Sequence, residues 1–246
     1  RATIDTRRMA DPSTPHEVVA WAESPAAISA TRRFTVARPW RVLAELDDPV
    51  ADDAGPTGRY RYPTAPGWNH PADIRHVRAS ESGGNLRIEV EMGELSTAWN
   101  PANGFDHVAF TIFIGLPDRT DGATSMPLQN ASLPAGMKWH LRLRAHGWSN
   151  ALFSADGASA TNEGTPITPG AQIRVDRDRR RLSFELPSAA LGNPRSLSGT
   201  TLYLTTWDYD GGYRPLLPLP QPHAFGGGDG TRDPLVMDDT AVITLP

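Results

Sequence analysis

"NLRIEVEMGEL", residues 85–95, decides the fold class. Leu86, Ile88, Val90 and Met92 fall on one side of a two-residue repeat, and Arg87, Glu89 and Glu91 on the other. That period belongs to a strand with one face on a core and one in water. The turn "SGGN" (Ser82–Asn85) precedes it, so "DIRHVRASES" (Asp73–Ser82) is its hairpin partner. Outward from this hairpin the same logic repeats. "HVAFTIFIGLP" (His107–Pro117) is nearly all apolar and β-prone, which predicts a central strand covered on both sides. "KWHLRLRAHGW" (Lys138–Trp148) alternates Trp139, Leu141 and Leu143 with His140, Arg142 and Arg144. "AQIRVDRDRRRLSFELP" reads as a second hairpin with Arg177–Arg181 at its tip. "WRVLAEL" (Trp40–Leu46), "TTLYLTTWD" (Thr200–Asp208) and "AVITL" (Ala241–Leu245) add strands, as do Glu17–Ala22 and Arg32–Val36. "PSAALG" (Pro187–Gly192) is the helical candidate.

About ten strands without a βαβ rhythm must stack in two layers. The expected fold is therefore all-β, an antiparallel two-layer β-sandwich or jelly roll. The 23 prolines and 22 glycines among 246 residues supply the turns between short strands. A boundary near "ARPW" (Ala37–Trp40) makes residues 1–40 an extension or the tail of a preceding domain, with the module at 41–246. Arg1 is not an initiator Met, so the expectation is a processed chain or a fragment.

Composition narrows the function classes. A formal charge of −4 argues against nucleic acid as partner, and the Arg177–Arg181 run reads as a solvated turn. The absence of cysteine excludes disulfides and thiolate metal sites. No apolar run approaches the ~20 residues of a membrane-spanning helix. No G-x-S-x-G, H-E-x-x-H or P-loop frame occurs, and the seven histidines lack zinc spacing. Glu89 and Glu91 read as the polar face of their strand rather than as a glycosidase carboxylate pair. The expectation is that the module itself is not an enzyme.

Two clusters carry chemistry. "DDPVADDAGPTGRYRYP" (Asp47–Pro63) packs four aspartates into seven residues before a Gly-Pro turn and a tyrosine ribbon. Close carboxylates either face water as turn caps or share a cation, and Ca²⁺ takes six to eight hard oxygens of this kind. The metal candidates are Asp48, Asp52 and Asp53, with Asp73, Asn103 and Asp106 completing a shell from neighbouring loops; "GGGDGTRD" (Gly226–Asp233) is a weaker second candidate. The other cluster is aromatic. Sugars stack their apolar C–H faces on flat rings, so Trp68, Trp99, Trp207, Tyr209 and Tyr213, in loops or at strand ends, are the ligand-binding candidates. For each the alternative is packing beneath a loop.

Several segments together resemble the C-terminal β-sandwich module of glucodextranase, which also follows catalytic domains in amylopullulanases. They are Asp48-Pro49, Asp52-Asp53, Gly55-Pro56, Gly58, Tyr60 and Tyr62-Pro63, then "WNPANGFDH" (Trp99–His107), "WHLRLRAHGW" (Trp139–Trp148), "WDYDGGYRPL" (Trp207–Leu216) and "FGGGDGTRDPLVMD" (Phe225–Asp238). Ala51 departs from the pattern, which often has Gly before the paired acids. The resemblance implies a secreted, periplasmic or cell-surface accessory module, DOMON-like in shape. It implies a glycan or cell-envelope polysaccharide as partner, a covalently linked catalytic domain, and adds weight to Ca²⁺. The alternatives are a haem-binding DOMON-like module, which would use Met137 and a facing His, and a purely structural domain.

Overall fold

The computed structural model describes residue 4, residues 16–36 and residues 39–246. Among these residues the chain forms strands, turns and loops, with no helix. Pro187–Gly192 closes as overlapping turns, Ala190 N–H to Pro187 O, Leu191 N–H to Ser188 O and Gly192 N–H to Ala189 O, and forms no helix, so the helical expectation there is corrected. Gly192 (φ 82°) and Asn193 (φ 53°) turn the backbone left-handed at once, which stops propagation.

Two antiparallel sheets face each other. The five-stranded one runs Gln172–Asp176, Arg181–Leu186, Asn85–Met92, Ile74–Ser82, Arg41–Asp47. The seven-stranded one runs Thr165–Ile167, Ser149–Ser154, Leu141–His146, Ala109–Gly115, Thr201–Trp207, Asp238–Asp239, with Ile243–Thr244 also paired to Thr201–Trp207. The repeat in residues 85–92 works as its spacing requires. Leu86, Ile88, Val90 and Met92 are fully buried, in one core with Phe110, Ile112, Leu143 and Leu204 of the facing sheet. Phe184 and Phe110 meet across the layers at 5.3 Å. Arg87, Glu89 and Glu91 face outward into ion pairs with Glu185 and Arg181.

Ala109–Gly115 is buried throughout, as a central strand must be. Leu141–His146 is buried throughout as well, although its arginines alternate. The outer face of the seven-stranded sheet is roofed by long loops. Under that roof Arg142 and Arg144 share the carboxylate of Glu163, and Phe113, Met126, Met137, Trp139 and Tyr203 form a second apolar cluster. Sequence alternation reports polarity; a charged residue supplied with its partner by a distant loop escapes it.

His16–Val18 pairs with Arg32–Phe34 and Trp21–Glu23 with Ala26–Ile28, each in a two-stranded ladder of its own.

Candidate functional site

Both chemical clusters lie at one end of the sandwich, where Arg41–Asp47, Asn85–Met92, Leu141–His146 and Thr201–Trp207 finish and Ile74–Ser82 and Ala109–Gly115 begin. The acid loop is fixed against the 225–238 segment. Gly55 N–H donates to Met237 O, Arg61 exchanges backbone bonds with Gly226, and the Tyr60 hydroxyl donates to Pro234 O. Gly55 stands at φ 69° with the Tyr60 ring where a Cβ would project, 2.1 Å away, so this turn admits no side chain.

Asp48, Asp52 and Asp238 converge: one carboxylate oxygen from each lies within 4.8 Å of the others. Burial, then the charges of Asp52, Asp239 and Asp73, push Asp48 up to about 7. Burial pushes Asp238 up to about 9, against hydrogen bonds from the Ile74 and Asp239 amides. Asp52, exposed but partly desolvated, is also raised, by that desolvation first and its acidic neighbours after. The set is of hard carboxylate oxygens only, which suits Ca²⁺ and offers nothing to a soft metal.

The other predicted ligands stand apart from this trio. Asp73 is fully buried beside it, with Oδ2 2.5 Å from Arg75 Nη2 and Oδ1 accepting the Ala51 N–H. Asp53 turns away to accept from the Tyr62 hydroxyl and pair with His70 Nδ1 at 2.9 Å, so it braces the tyrosine ribbon. Asn103 donates to the carbonyls of His146 and Ser149. Asp106 lies in a different place, described below. In the Gly226–Asp233 loop Asp229 caps Thr231 and Asp233 accepts the Asp229 N–H, so both carboxylates are spent on the loop itself. Asp238, which sequence reasoning did not select, closes the convergent group; its signal was the acidic pair Asp238-Asp239 at the end of the Phe225–Asp238 segment.

The second site is a cleft of about 650 Å³ formed by the loops around 99–108, 146–148 and 208–214, with His223 at its rim. Trp99 and Trp148 are exposed there at 45% and 51%, stacked with centroids 6.3 Å apart. Trp99 also lies over the His107 ring at 4.2 Å. Burial alone would raise Asp106, but the Ser96 hydroxyl, the Trp99 amide and His107 Nδ1 hold it below the usual carboxylate range. Accepting at 2.6 Å, Asp106 fixes the His107 ring, whose Nε2 is buried without a partner. His107 takes a left-handed backbone, φ 62°, a conformation uncommon outside glycine. His146, 7% exposed, is depressed to about 4 by burial and by Arg144, and its Nδ1 has no partner. Arg214 ties the opposite wall together: its Nε pairs with Asp208, Nη2 reaches Asp210 at 3.4 Å and Nη1 donates to His223 O.

Of the five predicted aromatics, Trp99 and Tyr209 line this cleft. Trp207, 1% exposed, stacks on Phe225 and belongs to the core. Trp68, 8% exposed, wedges edge-on between His107 and Phe225 beneath the cleft. Tyr213 packs against the core with its hydroxyl bonded to Thr111. Met137 sits in the second apolar cluster. Trp148 was missed, although a Trp following Gly147 at the tip of a two-residue hairpin turn has nowhere to go but outward.

The family model for the C-terminal, SLH-like binding module of glucodextranase matches residues 43–244. The chain belongs to that family. A search of curated proteins finds no match. Both sites of this glucodextranase-type module fall inside the matched span, and so do all the motifs that carried the resemblance. The family is one of binding modules, which directs attention to the cleft.

Proposed function

We propose that this glucodextranase-type module is a non-catalytic accessory domain, residues 41–246, acting outside the cytoplasm beside a glucan-active catalytic domain, and that its cleft binds carbohydrate. One observation carries the reading: two stacked, half-exposed tryptophans stand over a floor of polar side chains. Indole faces cover the apolar side of a pyranose, and polar groups below take its hydroxyls. His146, depressed to about 4, lines the cleft as a neutral imidazole at pH 7. Asp48, Asp52 and Asp238 hold a divalent cation, Ca²⁺ by their chemistry, which clamps the end of Arg41–Asp47 to the 225–238 segment.

The test is calorimetric titration of a panel of α- and β-glucan oligosaccharides and envelope polysaccharides. A shallow site of this kind gives Kd of order 10⁻³ to 10⁻⁵ M. Trp99→Ala and Trp148→Ala should each weaken binding at least about tenfold, the loss of roughly 1.4 kcal/mol. No binding by the wild-type module to any of the panel would leave a purely structural domain.

A further inference from the structure

The cleft's charges point to more than "a sugar". Its wall carries three carboxylates, Asp106, Asp208 and Asp210, against one guanidinium, Arg214. That guanidinium is already committed to Asp208, Asp210 and the His223 carbonyl. Asp106 is spent on His107, Ser96 and the Trp99 amide, and Asp208 is buried against Arg214. Asp210 is different. Its side chain is 76% exposed and its contact with Arg214 is long, so it faces the opening as a carboxylate with room for another donor. Behind Tyr209, Arg144 lies 3.9 Å from the ring and shares Glu163 with Arg142; this cation is buried on the far side of the wall and closed off by its own carboxylate.

An exposed carboxylate lining the same cleft as two half-exposed indoles is a composition that receives a cation. The indole face attracts an ammonium group by its quadrupole, and the carboxylate adds the charge. We propose that the cleft recognises a glycan unit bearing a free, protonated amine, an amino sugar lacking its acyl group, and discriminates against carboxylated sugars. The inference rests on the carbohydrate reading above. The amine sits at the Trp99–Trp148 pair with Asp210 as its counter-ion, while a uronate in the same place meets Asp210 and Asp208, and the one guanidinium lining the cleft, Arg214, is already engaged.

Three tetrasaccharides with the same β-1,4 linkage isolate the charge: the glucosamine, glucose and glucuronate forms. The glucosamine form should bind about three- to thirtyfold more tightly than the glucose form at low salt, the combined scale of an exposed ion pair and a cation–π contact. The preference should shrink at 0.5 M NaCl, and the glucuronate form should bind most weakly. Asp210→Asn should cut the glucosamine-to-glucose ratio by up to about fivefold, a ratio that a general loss of folding does not change. Equal binding of the glucosamine and glucose forms, or preferred binding of glucuronate, overturns the charge assignment and leaves the carbohydrate reading standing. If none of the three binds while a neutral α-glucan does, the amine proposal also falls. If no sugar binds at all, both fall together.

Discussion

Removing divalent cations should lower the melting temperature of this module by a calculable amount. Asp48, Asp52 and Asp238 bring three carboxylate oxygens within 4.8 Å of one another at the joint between two segments far apart in sequence. A ligand that binds the folded state alone stabilises it by RT ln(1 + [L]/Kd), about 2.7 kcal/mol at a hundredfold excess over Kd. For a chain of this length each kcal/mol moves the midpoint by roughly 2–4 °C. EDTA should therefore lower the melt by about 5–11 °C relative to Ca²⁺-saturated protein. Mg²⁺ should restore less, because it resists dehydration and irregular shells. Differential scanning calorimetry reads the shift directly. Asp52→Asn is the informative variant: Asp52 is exposed, so the change leaves the packing alone, and the EDTA-sensitive part of the melt should vanish. An unchanged melt in EDTA, with no calcium found by elemental analysis of dialysed protein, would make these aspartates ordinary turn residues.

Ala51 occupies a left-handed backbone, φ 62°, where its Cβ costs about 1–2 kcal/mol, so Ala51→Gly should stabilise by about 0.5–1 kcal/mol once the entropy of glycine is subtracted; chemical denaturation showing a loss would refute the strain argument. His146 titrates at about 4 in the fold against 6.5 unfolded, so the unfolded chain binds the extra proton between these values and stability falls as pH drops from about 6.5 to 4. That contribution is at most about 3 kcal/mol, and His146→Gln should flatten the corresponding limb of a pH–stability curve relative to wild type. Glu163→Ala leaves Arg142 and Arg144 buried without their carboxylate, at a cost of about 3–5 kcal/mol in urea unfolding. An effect below about 1 kcal/mol would mean that water replaces the carboxylate there.

Much of this architecture was legible because one face of the five-stranded sheet meets water. Asn85–Met92 announces itself by alternation, Ile74–Ser82 by the turn that pairs it with that strand, and Ala109–Gly115 by unbroken apolarity. Legibility failed where tertiary partners rewrite a residue's surroundings. Arg142 and Arg144 have the pattern of a solvated face and are buried because Glu163 arrives from a loop some twenty residues on. The sites show the same division. Asp48 and Asp52 could be read from their crowding, but Asp238 joins them from nearly two hundred residues away. Trp207 at a strand end and Trp68 in loop-like sequence both pack inward, since a strand end and a loop bend can each bury an indole. Trp99 and Trp148 differ in that both ride loop tips at the strand ends.

The two sites are neighbours for a topological reason with consequences for how they act. Antiparallel strands return to the same end of a sandwich, and the loops gathered there can vary while the sheets stay fixed. Here a ladder of ring contacts joins the two. Asp53, next to the acid trio, holds the Tyr62 hydroxyl; Tyr62 packs on Trp68 at 6.3 Å; Trp68 meets His107 edge-on at 4.5 Å; and His107 supports Trp99 from below at 4.2 Å. The Asp106–His107 bond and the left-handed backbone at His107 would be costly in a loose loop, and they persist here because Trp68 and Trp99 both pack against that ring. A cation at the acid trio would thus do more than join two segments. By fixing the loop that carries Asp53, it would hold in place the side chains on which the exposed tryptophan rests.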